Sequence, residues 1–504
     1  MIMKKEIKFL FFTVFTLFIS VSCSSDLDVK PEGLNAEENY YKDENQAFSA
    51  LVAVYDLMRK NSGGFENMVT MFNAGSDDHY AGGGNESDGA GIQSFSNYTI
   101  DPYTIPGSFW SDYYRGISRA NILLKYLPNV PMDESKKARF AAEVRTLRAY
   151  YYFNLVRMFK NVPLILEPLS ASQFYSIPQA DPAEVWAQIE LDITESMDNL
   201  PSTVDVSSDG GRLTKGAAQA ILGKVYLYQG KNSLAAQQFE QVNGTPGGTS
   251  QYGYRLLDNF NDLWNFTNKF NSESVLEVSH SAQGSYWGIW GGNSDEGNTI
   301  NTMVGPRNYL RISSPAPELP SGWSFNVFTQ NFVDFMGSDP RLNATVFDLK
   351  TLKQNGNADY IGGYQDTGYF LGKFLPRQGD IYDGSLGGDA VLNYAQNTYA
   401  IRLADTYLME AEALGGTGAR AQALLDAVRD RVGLASVPVS LGAIKAERRR
   451  ELAGEGHRWF DLVRWGDAPT VLANRGFVAG KHEILPIPVK ETEGTQIVQN
   501  PNYN

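Results

Sequence analysis

Three tryptophans in glycine- and asparagine-rich sequence are the residues best suited to recognition chemistry. Trp287 and Trp290 lie in Ser285-Tyr286-Trp287-Gly288-Ile289-Trp290-Gly291-Gly292, and Trp323 follows in the same aperiodic region. An indole offers a flat apolar face. A hexose offers flat C–H faces rimmed by hydroxyls, so stacking plus polar neighbours would hold it. Asn293, Asp295 and Glu296 supply polar groups nearby. Tyr98 and Arg377 are further candidates of the same kind. The plainer alternative for each ring is that it anchors its own loop to the body.

Two acidic clusters need weighing. Asp77-Asp78-His79-Tyr80 precedes Gly82-Gly83-Gly84 in a long loop. Adjacent carboxylates rarely flank one sugar as a glycosidase requires. Asp78 as a hydroxyl acceptor and Tyr80 as a stacking face suit binding better. A solvated loop, or a structural calcium on the Asp oxygens, is the alternative. The second cluster is Glu451, Glu455, His457 and Asp461, in pairs one helical turn apart. A transition-metal site wants convergent His or Cys ligands. The chain holds four histidines and one cysteine. Arg448, Arg449, Arg450, Arg458 and Arg464 surround this cluster. It therefore reads as a structural ion network, with no catalytic residue, no metal ligand and no cofactor expected.

The elements that must position these residues are mostly helical. Asn45–Lys60, Ser108–Leu127 and Asp133–Phe159 carry apolar residues three to four apart. Asp181-Pro182 reads as an N-cap and first turn of another helix. Leu222, Gly223, Tyr226, Gly230, Ala235 and Phe239 follow the tetratricopeptide spacing, with small residues where two helices touch. A second helix pair is expected over Tyr399–Val432, turning at Gly415-Gly416-Thr417-Gly418. From Gly244 to Asn397 periodicity is poor, with short strands expected at Ser274–His280 and Tyr369–Phe374. Gly63–Pro106 is similarly loop-like. Long loops in a compact body usually carry function.

The first residues read as an export signal. Lys4, Lys5 and Lys8 precede an apolar run, Phe9–Val21, too short to span a bilayer, and then Ser22 and Cys23. We expect cleavage before Cys23 and acylation of its thiol, although Ser20 stands where a lipobox commonly has leucine. Residues 1–22 would be the signal peptide and 23–33 a polar, acidic tether. Residues 34–504 would form one domain, with a helical scaffold at 34–243 and 398–504 and a ligand-side insertion at 244–397. The net charge of −14 argues against nucleic acid or an anionic membrane surface as ligand.

Three segments resemble the SusD/RagB family of outer-membrane nutrient-binding lipoproteins. They are Ala142–Phe153 with Asn161-Val162-Pro163-Leu164, Glu447–Leu462 with Arg464-Trp465-Gly466, and the tail Leu485–Pro488 with Gln499–Tyr503. The helix carrying Trp110, Tyr114, Ile117 and Asn121 fits as well. Trp110, Trp459 and Trp465, lying in these motifs, are expected in the core. Gly454 departs from the family pattern, where a larger apolar residue is usual, and predicts a looser helix end. The resemblance implies a mostly α fold of four tetratricopeptide-like helix pairs supporting an irregular region. It also implies a Gram-negative cell-surface lipoprotein that passes oligo- or polysaccharide, or sometimes peptide, to a TonB-dependent outer-membrane transporter. It implies no enzyme. A glycoside hydrolase on a helical scaffold and a peptide-binding or adhesive lipoprotein are the other readings.

Overall fold

The computed structural model describes residues 40–282, 296–377, 379, 389 and 392–503. Cys23, the signal segment, the tether, Trp287 and Trp290 lie outside these residues.

Ten helices carry the scaffold and the C-terminal motif: α1 (Glu44–Tyr55), α2 (Ser108–Tyr126), α3 (Glu134–Phe159), α4 (Pro182–Thr194), α5 (Lys215–Tyr228), α6 (Asn232–Asn243), α7 (Leu403–Ala413), α8 (Gly418–Asp430), α9 (Leu441–Glu451) and α10 (Arg458–Arg464). The fold is mostly α, as the spacing predicts. Several starts are fixed locally. The Asp43, Asp133 and Asp181 carboxylates accept from backbone N–H groups in the first turns of α1, α3 and α4. From α1 to α8, helices pack on their neighbours in sequence, and α6 also receives α7 across the long insertion. The expected pair α5/α6 closes around Gly223, where an added Cβ would stand 2.7 Å from the Phe239 ring. Only a side chain without a Cβ allows this approach. The main core runs through these helices, and Trp110 and Trp459 are buried in it. Trp465 is half-buried instead, its Nε1 donating to Glu412 at 2.9 Å.

Among the described residues, the insertion and the start of the scaffold that follows it add short strands: β1 (Ser274–Val278), β2 (Leu310–Arg311), β3 (Val346–Asp348), β4 (Ala358–Asp359), β5 (Tyr369–Leu371) and β6 (Thr398–Arg402). They form three antiparallel two-stranded ladders, β1–β6, β2–β4 and β3–β5. Both expected strands are present, the second ending in a tight turn over Gly372–Phe374. The β1–β6 ladder ties the start of the irregular region to α7. A second buried cluster, including Trp264, Phe328, Phe332 and Phe374, fills the insertion.

A buried ion network fastens insertion to scaffold. Glu451 accepts from Arg341 at 2.8 Å, from Arg402 at 2.5 Å and from Arg431. Glu455 accepts from Lys373 at 2.7 Å and from Arg402 at 2.9 Å. Asp461 pairs with Arg448 and Arg464. Burial alone would raise the Glu451 carboxyl, but Arg431, Arg402 and Arg341 outweigh it and hold it well below its usual range. These carboxylates are spoken for, which accords with a structural network. Gly454 follows α9 with φ +78°, and an added Cβ would lie 2.3 Å from Leu371 Cδ1. The expectation of a looser helix end is therefore corrected. The site is tight, and β5 packs where a side chain would stand.

Candidate functional site

The loop at 77–84 and the Trp323 segment, far apart in sequence, lie side by side. Thr329 N donates to Asp78 O, Tyr80 N to Val327 O, Asn326 N to Ala81 O and Gly83 N to Ser324 O, all at 2.9 Å. Gly82 makes the approach possible. Its φ is +71°, and a Cβ there would stand 2.2 Å from Ser324 O. A third stretch of chain joins them, with Tyr364 N donating to Gly83 O at 2.8 Å. Trp323 N donates to Thr302 O and Phe325 N to Met303 O, so the same segment is held from both edges.

Trp323 is half-buried on this platform. Its ring meets Phe65 at 6.0 Å between centroids, and Phe65 in turn meets the buried Phe325 edge-on at 5.4 Å. Beside it sits a partly exposed ion pair. Arg307 Nη2 lies 2.7 Å from Asp88 Oδ2, and Arg307 Nε donates to Trp323 O at 3.0 Å. The same Asp88 oxygen accepts from Gly84 N at 2.7 Å. A half-buried indole backed by Phe65, its main chain held by the Arg307–Asp88 pair, can stack on the C–H face of a sugar ring.

Other predicted residues fare differently. Asp78 is 1% exposed, and Arg449 Nε donates to its Oδ1 at 2.7 Å. Burial first, and Asp77 second, push its carboxyl up to about 6. It braces the C-terminal motif, away from the Trp323 face. Tyr98 is buried as well. It is 5% exposed, its hydroxyl donates to Gly75 O, and Phe95, Phe477 and His482 surround its ring. Tyr80 is half-buried with the Arg475 guanidinium 5.2 Å from its ring centre, so one face is covered. Arg377 is half-buried and points Nη2 towards Gly372 O at 3.3 Å. Of the seven residues predicted to touch a ligand, the face described here includes Trp323, with Tyr80 on the adjoining backbone ladder. Sequence reading missed Phe65, Asp88 and Arg307. Only the Gly82-Gly83-Gly84 run hinted at the close approach that gathers them.

Arg458 binds both oxygens of Asp77, at 2.8 and 3.0 Å, and Arg449 binds Asp78 Oδ1, so three of the four oxygens considered for calcium already have guanidinium partners. Among the described residues no group of three or more His, Cys, Asp or Glu side chains is placed to hold a metal. Two other concavities, of about 440 and 350 Å³, lie against α2 and α1 and include none of the predicted contacts.

This architecture is that of a helical-repeat body presenting a loop-built aromatic face. Residues 330–500 match the model of the SusD family, and residues 27–227 match a SusD-like model described as starch-binding associating with outer membrane. A laminarin-binding SusD-like protein of known structure is 63% identical, with a TM-score of 0.90 over 92% of this chain and 100% of that one. Surface glycan-binding protein A from Bacteroides fluxus is 27% identical, with a TM-score of 0.79 over 92% of this chain and 100% of its own. SusD-like protein P25 of Formosa agariphila is 26% identical over 95% of both chains. The chain belongs to the SusD/RagB family.

Proposed function

We propose that this protein is a non-catalytic, cell-surface lipoprotein that captures laminarin and hands it to a TonB-dependent outer-membrane transporter. The observation that carries the reading is the Trp323 face. It presents a half-buried indole backed by Phe65, with the Arg307–Asp88 pair holding its main chain. The 63% identity to a laminarin-binding relative supports the choice of glycan. Laminarin is uncharged, so the chain's net charge of −14 does not oppose it. Trp287 and Trp290 remain proposed contacts on the composition of their segment. Cys23 remains the proposed site of acylation. The outer-membrane description of the matching family model supports that location.

The test is calorimetric titration of the mature protein with laminarin. Trp323→Ala should weaken binding by at least about tenfold, the loss expected on removing a central aromatic contact. Its melting temperature should move little, because the ring is only half-buried. Undiminished binding would overturn the site. Release of reducing ends from laminarin by the purified protein would overturn the non-catalytic reading and favour the hydrolase.

A further inference from the structure

The Arg307–Asp88 pair acts on the face through the backbone that carries it. Its contacts form a chain that spans three separate loops. Asp88 Oδ2 accepts from Gly84 N at 2.7 Å and from Arg307 Nη2 at 2.7 Å. Arg307 Nε then donates to the main-chain oxygen of Trp323 at 3.0 Å, and Arg307 N donates to Ser324 Oγ at 3.1 Å. One guanidinium thus holds the backbone on which the indole is mounted and ties it to the glycine loop. The two side chains are 31% and 29% exposed. In such a setting a surface pair contributes little to overall stability. What a planar, two-ended fork can contribute is orientation.

The remaining geometry agrees. Gly84 packs against both groups, since an added Cβ would lie 3.0 Å from Arg307 Nη2 and 3.1 Å from Asp88 Oδ2. The neighbouring Gly83 lies over the Phe325 ring, 2.8 Å from where a Cβ would stand. Phe325 in turn backs Phe65, and Phe65 backs Trp323. The indole is therefore set from two sides, by the tilted Phe65 ring against it and by the ion pair on its backbone. Loss of the Phe65–Phe325 contact would cost core packing. Loss of the ion pair would release the hold on the Trp323 backbone and the glycine loop.

We infer that Arg307 and Asp88 are positioning residues that fix the Trp323 indole for glycan stacking. This rests on the proposed glycan reading, so the test has two arms. The first needs no ligand. The mature protein is labelled with 5-fluorotryptophan, and the Trp323 resonance is assigned by its absence in Trp323→Phe. Arg307→Gln and Asp88→Asn should each shift or broaden that resonance while leaving those of the core tryptophans in place. Unchanged resonances in both variants would overturn the inference, whatever the protein binds.

The second arm is a double-mutant cycle with laminarin. Arg307→Gln alone should weaken binding roughly tenfold. In the Trp323→Ala background it should change binding by less than about twofold, since residues acting through one another are non-additive. Equal losses in both backgrounds would mean that Arg307 acts independently of Trp323, and would overturn the inference. Arg307→Lys keeps the charge without the fork and should not restore affinity; full restoration would also overturn it. Failure of the unmodified protein to bind laminarin would sink the glycan reading, while the resonance arm would still decide the positioning role.

Discussion

Asp78 Oδ1 accepts from Arg449 Nε at 2.7 Å, and its other oxygen has no hydrogen-bond donor among the described residues. A buried carboxylate with half its acceptors unmet favours its neutral form. Arg449 does not reverse this, because Asp77 Oδ2 shares it at 3.1 Å. The folded carboxyl is pushed up to about 6 against an ordinary 3.8. Between those values the native state holds a proton that the unfolded chain lacks. Stability from this group therefore grows as pH falls from about 6 towards 4, and the ionised form opposes folding above that window. Asp78→Asn mimics the neutral form. It should stabilise the fold at pH 7.5 by an amount on the order of 1–3 kcal/mol, seen as a raised melting temperature, and the gain should shrink at pH 5. A variant less stable than the parent at both values would contradict this. The type and spacing of Asp78 were legible in sequence, but its burial was not. That follows from the ladder with residues 324–329, a pairing across roughly 250 positions that no local pattern announces.

At the scale of elements, helix pairs were readable and turns between elements less so. Leu222, Gly223, Tyr226 and Phe239 announced their packing because a small residue must face a large one where two helices touch. Gly454 announced only the absence of a side chain. Its meaning comes from β5, which brings Leu371 Cδ1 to 2.3 Å from an added Cβ, and from a left-handed φ of +78°. Gly466, after α10, has a similar φ of +72° but open space around it. The pair separates two costs. Gly466→Ala should lose about 1 kcal/mol from backbone strain alone. Gly454→Ala should lose a further 1–3 kcal/mol from overpacking against β5. Urea unfolding would show this as midpoint shifts with unchanged slopes. Equal shifts would mean that Leu371 yields at no cost, and the close approach would then carry no energy.

At the scale of the whole molecule, the helical body was legible because its periodicity is local. The loop-built face was not, because glycine runs show where backbones meet without naming their partners. Phe65, Asp88 and Arg307 come from two loops more than two hundred residues apart and meet only in the fold. The proposed anchor works on this same scale. Extended chain from Cys23 to Tyr40 would reach at most about 60 Å, enough for a captured glycan to be carried to a neighbouring barrel without release from the surface. Each buried methylene of an acyl chain contributes about 0.8 kcal/mol, so more than one chain is needed for stable retention. Cys23→Ala should therefore move the protein from the membrane to the soluble fraction. Its laminarin affinity in solution should not change, since the Trp323 face is built from residues 63–89 and 302–364. The fractionation belongs in cells lacking the partner transporter, so that protein contacts cannot stand in for the lipid. Retention with the outer membrane in those cells would mean that something other than an acylated Cys23 holds the protein there, and the tether would lose its role as the slack that lets a binding lid move.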